Sequence, residues 1–327
     1  MQDTGEGRWD RYVSTVAYPT IGIILLGGIS DKIRRRPLHN SAGIAYTGIE
    51  DKIDVETSVF FSETETGKVN GEEVKDNGDR SPFRILRKYR EYMNGKDPRK
   101  LSFISSNYSI LSGSSDAAAA SFGKAVEALS ETKLDSEALE ADMRMISESA
   151  GRSYRGGLTI TETTSDKAVT RTLLEARYFH GYELVGCKFS STRNPSDRIH
   201  ENVVKNPAYG KRIESTVKKS TALVNLADGK DIEGIFDLAG EDTQEYHRLL
   251  ESSGVFVITD EMRKFTTYLD SLKKEFWLNY IITGGSNVFV ALREGDARSI
   301  TSLSQRFGFS PVRLKVAGPP VIRSIRN

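Results

Sequence analysis

The sequence contains a single cysteine, Cys187, and no apolar run long enough to cross a membrane. One cysteine excludes an internal disulfide framework and favours a reducing compartment. The longest apolar run, residues 21–29, is about half as long as the roughly 20 residues of a membrane-spanning helix. The N-terminal segment is acidic and polar, unlike a secretory signal. We therefore expect a globular, cytoplasmic protein that does not associate with membranes.

An excess of charge of either sign is also absent, because 46 basic residues are balanced by 45 acidic ones. This balance gives the chain no bias towards polyanions, so we expect no nucleic-acid partner. Basic residues do cluster at 32–36 and 84–90. Both clusters have acidic or turn-forming neighbours, and we interpret them as solvated faces.

The other reactive side chains form no recognisable catalytic pattern. Cys187 lies in a hydrophobic stretch and is expected to be an inert, buried thiol. An acidic patch on one helix is interpreted as solvated, with no Mg²⁺ ligand assigned to it: Asp237, Glu241, Asp242 and Glu245. The four histidines lack metal-ligand spacing and are interpreted as structural: His39, His180, His200 and His247.

Helical and extended patterns intermix without a regular βαβ rhythm, which predicts an α+β fold in two lobes divided near residues 178–181. The segment 62–80 is predicted to be a hairpin with a mobile loop. Strands are predicted at 22–28, 43–46, 53–61, 101–106, 158–163 and 182–189, with a hairpin at 279–292 and a last strand at 312–316. Helices are predicted at 83–93, after 112–115, at 135–146, from about 196, and at 207–227, 231–252 and 260–277.

The most informative segment is 105–129, where a polar strand enters a Ser/Gly turn and then an alanine-rich helix. The turn Ser112, Gly113, Ser114 and Ser115 would place free N–H groups at the positive end of that helix, which suits an anion. No Walker A string passes through it. An ordinary capped amphipathic helix is the alternative. The small side chains of residues 117–120 would let the helix lie close to a supporting sheet.

Several short segments together resemble one family, the GHMP-type kinases, and within it the mevalonate diphosphate decarboxylase branch. In chain order they are YPTIGIILLGG (18–28), PLHNSAGIAY (37–46), SGSSDAAAAS (112–121), SESAGRSYRGG (147–157), RNPSDRIH (193–200) and TGGSN (283–287). Archaeal mevalonate 3-kinases are the most similar members. The resemblance implies a ribosomal-S5-like, ATP-binding lobe at 1–180, a ferredoxin-like lobe at 181–327 and a homodimer. It also implies that ATP with Mg²⁺ phosphorylates the tertiary 3-hydroxyl of mevalonate in an isoprenoid pathway.

The same resemblance implies the site residues. Arg152 matches the arginine of the branch's Ser-Ala-Cys-Arg signature and would hold the substrate carboxylate, with Arg193 and Ser196 in support. Where the decarboxylases have a catalytic aspartate, an active-site lysine and a glycine, this sequence has Thr283, Leu25 and Glu148. Taken alone, these residues also fit plainer roles: a turn hydroxyl, a core side chain and a solvated helix residue. The Mg²⁺ ligands are not assigned.

These three differences predict which reaction the site can catalyse and which substrate it favours. Losing an aspartate and a lysine weakens decarboxylation, which needs stabilisation of developing charge. Phosphoryl transfer depends mainly on positioning and electrostatics and can survive the loss. Glu148 would repel a 5-phosphate, since like unit charges about 4 Å apart repel by about 4 kcal/mol at an intermediate dielectric. It can instead accept a hydrogen bond from a hydroxyl, which favours unphosphorylated mevalonate. A decarboxylase of a phosphorylated mevalonate and a catalytically silent metabolite-binding homologue are the alternatives.

Overall fold

A computed structural model describes residues 11–76, 78–93, 97–189, 195–285 and 287–326. Its strands are Tyr12–Ala17 (β1), Thr20–Ile24 (β2), Ser41–Gly48 (β3), Asp54–Ser62 (β4), Gly67–Val69 (β5), Glu72–Glu73 (β6), Lys100–Tyr108 (β7), Leu158–Thr163 (β8), Ala168–Leu174 (β9), Tyr182–Lys188 (β10), Leu278–Ile282 (β11), Asn287–Arg293 (β12), Ser310–Val316 (β13) and Val321–Arg326 (β14). Its α-helices are Pro82–Tyr89 (α1), Ser114–Leu129 (α2), Ser136–Ile146 (α3), Ala150–Arg155 (α4), Ser196–Val203 (α5), Tyr209–Asp228 (α6), Ile232–Ser252 (α7), Asp260–Leu272 (α8), Ala297–Thr301 (α9) and Ser304–Phe307 (α10).

The strands form two sheets. The six-stranded sheet has the order β14-β1-β4-β7-β5-β6 and is antiparallel except where β5 runs parallel to β7. The eight-stranded sheet has the order β11-β12-β10-β13-β3-β8-β9, with β2 also paired to β3. Strand β14 returns from the end of the chain to pair with β1. The site described below lies where β2, the start of α2 and helices α5 and α7 approach one another.

Helix α2 lies close to the six-stranded sheet because its inward face is made of small residues. Ala117 and Ala120 are completely buried. The Ser121 hydroxyl donates to the Thr15 carbonyl at 2.9 Å, and the Thr15 hydroxyl donates to the Ser121 carbonyl at 2.7 Å. The predicted close contact between this helix and a sheet is confirmed.

Local signals explain most of the elements. Asp135 caps α3 by accepting from the N–H of Glu137 at 2.9 Å, as its position at the predicted helix start indicates. Strand β8 has the predicted bounds. Helices α1 and α8 end earlier than predicted, at Tyr89 and Leu272. The prediction that 312–316 is the last strand was wrong, because β14 follows it.

Strand β1 was not predicted because its polar and apolar residues are all buried and do not mark two different faces. Ser14 and Thr15 are fully buried beside apolar neighbours, so polarity does not mark an outward face.

Cys187 is fully buried in β10, where burial raises the pKa of its thiol, in agreement with the predicted inert cysteine. Among the described residues no helix combines the length and apolar character needed to cross a bilayer.

Candidate active site

A cavity of about 570 Å³ opens between the start of α2, the loop before α4, and helices α5 and α7. It brings together most of the residues that the sequence predicted for the site, from both halves of the chain. Those lining it are Leu25, Ser112, Gly113, Ser115, Glu148, Arg152, Ser196 and Thr283. Ser114 begins α2 but does not line the cavity, and Arg193 lies outside the described residues.

The Ser/Gly turn forms an open helix start. Gly113 is the residue before α2 and has φ +78°. A Cβ on it would lie 2.5 Å from the Thr20 carbonyl oxygen, so both the dihedral angle and the close approach of β2 require glycine. The first N–H groups of a helix have no intrahelical acceptors, and here no capping side chain takes the place of those acceptors. The N–H of Ser112 was expected to be free, but it donates to the Tyr46 hydroxyl at 3.0 Å.

Arg152 is almost completely buried, with 4% of its surface exposed. Its Nε and Nη2 atoms have no hydrogen-bond partner among the described residues. Burial lowers the pKa of the guanidinium, although the charges of Asp116 and Glu148 oppose that shift. Nε and Nη2 form one edge of the planar group, the edge that pairs with both oxygens of a carboxylate. The geometry therefore offers a buried receptor for a carboxylate.

Glu148 is held by two side chains that the sequence did not assign to the site. Arg35 donates to its Oε2 from Nε at 3.0 Å and from Nη2 at 2.7 Å. His200 Nε2 lies 3.2 Å from its Oε1. Burial opposes ionisation of Glu148, but the hydrogen bond from His200 and the charge of Arg35 outweigh it and hold the pKa of Glu148 well below its usual value. The carboxylate is thus ionised and fixed in position.

The backbone defines the proton position on His200. The N–H of Gly28 donates to His200 Nδ1 at 3.0 Å, so Nδ1 is an acceptor and carries no proton. The Nε2 atom therefore carries the proton and donates it to Glu148. His200 is a buried histidine with both ring nitrogens hydrogen-bonded, as its structural interpretation predicts, and it also lines the cavity and orients Glu148. Among the described residues no group of three or more His, Cys, Asp or Glu could hold a metal ion.

Arg35 also contradicts the interpretation of residues 32–36 as a solvated face. It is 1% exposed and has φ +51°, whereas Lys32 and Arg34 are exposed. Besides Glu148 it donates to Asp197 Oδ1 at 2.6 Å, which links the cavity to α5. No spacing rule distinguishes this arginine from its neighbours in sequence, since only the folded chain brings Glu148 and Asp197 to it.

The wall of the cavity at Leu25 is fixed through its backbone. Asp242 accepts from the Leu25 N–H at 2.7 Å, and Arg212 donates to the Leu25 carbonyl at 2.7 Å and to Asp242 Oδ2 at 2.9 Å. Lys219 also donates to Asp242, at 2.9 Å. Asp242 and Arg212 are 0% and 2% exposed. The interpretation of Asp242 as part of a solvated acidic patch was therefore wrong, while Asp237 and Glu241 are exposed as expected.

Asp116 is a further site residue that the sequence analysis missed. It lies in the first turn of α2, lines the cavity and is 8% exposed. Its Oδ2 accepts from the Thr20 hydroxyl at 2.6 Å and its Oδ1 from the Ser147 hydroxyl at 2.5 Å. Burial, and then the charge of Glu148, raise the pKa of its carboxyl. A signal did exist, because Asp116 is four residues before Ala120 and so shares the buried face of the helix.

Thr283 follows β11 in the turn that leads to β12. Its side chain is buried, and its hydroxyl oxygen has no hydrogen-bond partner among the described residues. The turn is closed instead by the backbone, where the Thr283 N–H donates to the Asn287 carbonyl at 3.2 Å. Thr283 and Leu25 both line the cavity, and the buried Thr283 hydroxyl is left without a protein partner among the described residues.

Comparison with solved structures identifies the fold. A crystal structure of mevalonate diphosphate decarboxylase from Staphylococcus aureus matches with a TM-score of 0.80 at 16% identity, covering 96% of this chain and 98% of that one. At that identity the likeness shows the fold alone. The family described as diphosphomevalonate decarboxylase-like N-terminal domain matches residues 17–171. The chain has the α+β fold of the GHMP kinases, as predicted.

Closer relatives define the family. Mevalonate-3-kinase of Picrophilus torridus is 42% identical over 318 residues, which cover 95% of this chain and 98% of that protein. Mevalonate 3-kinase of Thermoplasma acidophilum is 42% identical over 309 residues, and its crystal structure with mevalonate 3-phosphate and ADP bound matches with a TM-score of 0.91, covering 96% of this chain and 99% of that one. The mevalonate-3-kinase C-terminal domain family matches residues 194–298. This chain belongs to the mevalonate 3-kinase family.

Proposed function

We propose that this protein transfers the γ-phosphoryl group of ATP to the tertiary 3-hydroxyl of mevalonate, giving mevalonate 3-phosphate and ADP in isoprenoid synthesis. A relative that covers nearly the whole chain carries these two products in its crystal structure. The observation that carries the proposal here is the unpartnered Nε and Nη2 edge of Arg152, buried in the same cavity as an uncapped helix start. One feature suits a carboxylate and the other suits phosphates.

The start of α2 would bind the ATP phosphates. The N–H groups of its first turn and the positive end of its dipole both favour an anion. Gly113 keeps the turn close to β2, and the Ser115 hydroxyl lines the cavity. Mg²⁺ bound with ATP would offset phosphate charge during transfer. The oxygen-rich lining of this end of the cavity fits such a hard cation.

Arg152 would hold the mevalonate carboxylate by two parallel hydrogen bonds. Bidentate pairing fixes orientation as well as position, so it would direct the 3-hydroxyl towards the phosphate end of the cavity. Ser196, the first residue of α5, lines the same cavity and is close enough for Arg35 Nη2 to lie 3.5 Å from its hydroxyl. We retain Ser196 and Arg193 as proposed supporting contacts to the carboxylate end.

Glu148 would select the unphosphorylated substrate. Its Oε2 already accepts two hydrogen bonds from Arg35, whereas its Oε1 accepts one from His200 and can accept another. Arg35 also pairs with Asp197, which Arg80 contacts at 3.5 Å, so the charge of Glu148 is only partly offset by the one arginine that it shares with Asp197. The Glu148 carboxylate would repel a 5-phosphate placed beside it, and the free lone pair on Oε1 would accept the 5-hydroxyl of mevalonate.

Leu25 and Thr283 would explain why the reaction stops at phosphorylation. Neither side chain ionises, so the cavity lacks the lysine and aspartate that the decarboxylases have at the matching positions. The buried Thr283 hydroxyl can hydrogen-bond the substrate, and Leu25 provides an apolar wall held through its backbone. Phosphoryl transfer needs little covalent assistance, so the hydroxyl proton can leave late, to phosphate or water.

We also propose a cytoplasmic homodimer with lobes divided near residue 180. The single cysteine favours the reducing compartment, and the family resemblance favours the dimer. Light scattering after size-exclusion chromatography measures the oligomeric state directly, and a monomeric mass would contradict it.

Incubation with ATP and mevalonate tests the activity. We expect ADP release, a phosphorus NMR signal from a phosphate on the tertiary carbon, and no CO₂. Release of CO₂ from mevalonate 5-phosphate or 5-diphosphate would identify a decarboxylase instead. An absence of ADP with every mevalonate form would identify a silent homologue.

A further inference from the structure

We propose that Asp116 is the protein ligand of the magnesium ion that accompanies ATP, an inference that rests on the proposed kinase function. Three carboxylates line the cavity: Asp116, Glu148 and Asp197. The last two pair with Arg35 at 2.7 and 2.6 Å. Asp116 has no ion pair within the described residues and is bound only by the hydroxyls of Thr20 and Ser147. Among the cations of the cavity Arg152 acts on its charge, and once Arg152 binds the substrate carboxylate, the charge of Asp116 is left for a ligand to balance.

The position of Asp116 places it beside the phosphates. It follows Ser115 in the first turn of α2, and the Ser147 hydroxyl lies 2.5 Å from its Oδ1 and 3.2 Å from the Ser115 hydroxyl. Arg152 lines the same cavity, and its buried Nε and Nη2 atoms have no partner among the described residues, which independently indicates a ligand site. A fixed carboxylate next to a triphosphate repels it unless a cation lies between the two. A magnesium ion held by Asp116 would supply the positive charge that offsets this repulsion.

The chemistry of the ion agrees with this arrangement. Mg²⁺ is usually held in phosphoryl-transfer enzymes by one or two carboxylates together with substrate phosphates and water. Within the part of the chain that the structure describes, no group of three or more His, Cys, Asp or Glu could hold a metal. The site should therefore bind the ion weakly when free and strongly when nucleotide supplies the remaining oxygens.

The test measures the affinity of Mn²⁺, a paramagnetic substitute for Mg²⁺, for the complex of the full chain with ADP. Electron spin resonance detects the free ion. We expect Asp116→Asn to weaken Mn²⁺ binding to the ADP complex by about tenfold or more. In EDTA, the same variant should bind ADP as well as or better than the wild type, because a like charge has been removed. Asn keeps an oxygen acceptor for Thr20 or Ser147, and circular dichroism confirms that the variant is folded.

Asp197→Asn is the matched control, since it removes a cavity carboxylate that already has a cation, and it should leave Mn²⁺ affinity within about twofold of wild type. Unchanged Mn²⁺ affinity in Asp116→Asn, or an equal loss of ADP affinity with and without metal, would overturn the assignment and leave Asp116 a structural acceptor. Failure of the kinase proposal has a different signature: the wild type itself would bind no ADP and phosphorylate no mevalonate.

Discussion

Replacing Arg152 by lysine should weaken mevalonate binding without weakening the fold. Lysine keeps the charge and most of the aliphatic stem but loses the planar edge formed by Nε and Nη2. Within the described residues no protein group hydrogen-bonds that edge, so the substitution breaks no protein hydrogen bond there. The cost should therefore fall on the bound substrate and not on the folded state.

The size of the effect follows from the number of bonds lost. A hydrogen bond to a charged group contributes about 1.5–3 kcal/mol. Lysine can make one such contact where arginine makes two, so about one bond is lost. Each 1.4 kcal/mol corresponds to about tenfold in affinity. We expect kcat/KM for mevalonate to fall by about 10–100-fold, mainly through KM, because the carboxylate does not react.

Steady-state kinetics and chemical denaturation measure the two quantities. Arg144→Lys is the matched control, since Arg144 is also a buried arginine, but it donates to Glu140 at 3.2 Å and to the Ala168 carbonyl at 2.7 Å. That variant should lose stability and keep the KM for mevalonate. The amide of mevalonate completes a double-mutant cycle, because it lacks the carboxylate that Arg152 would bind.

Two results would refute the reasoning. If Arg152→Lys loses as much stability as Arg144→Lys and keeps its KM, then Arg152 is a structural residue. If the variant loses the same factor on mevalonate and on its amide, then Arg152 does not bind the carboxylate.

Three further predictions concern the surrounding network. Burial and then the charge of Arg212 lower the pKa of His39 from 6.5 to about 4, so the unfolded chain binds a proton between these pH values that the folded chain does not. Stability should fall by about 3 kcal/mol as the pH drops through that window, and urea denaturation of His39→Gln should show a smaller loss. Asp242→Asn leaves Arg212 without its main buried counter-charge and should cost about 3–5 kcal/mol of unfolding free energy; stability equal to wild type would show that the pair is dispensable. Glu148→Gln should raise kcat/KM for mevalonate 5-phosphate relative to mevalonate by about tenfold, a change of about 1.4 kcal/mol, and an unaltered ratio measured by competition would show that its charge does not select the substrate.

Sequence signals predicted helices and strands well where neighbouring residues determine the element. Asp135 caps α3, and the alternation of residues 158–163 gives β8 with the predicted bounds. The Ser/Gly turn before α2 was recognisable for the same reason, because Gly113 and the small residues after it act within one turn. Family motifs then predicted which residues share the cavity, and the structure brings eight of them together, including Leu25 and Thr283.

The sequence by itself determined most of the elements, the family and the chemical types at the site, because capping, periodicity and motifs depend on neighbours a few positions apart. Only the tertiary structure decided which charges are buried and what they bind. Arg35 meets Glu148 across 113 positions and Arg212 meets the Leu25 carbonyl across 187. In sequence each of these arginines resembles its exposed neighbours. Burying a charge is unfavourable unless hydrogen-bond partners offset the lost hydration, and only the folded chain brings these partners within reach.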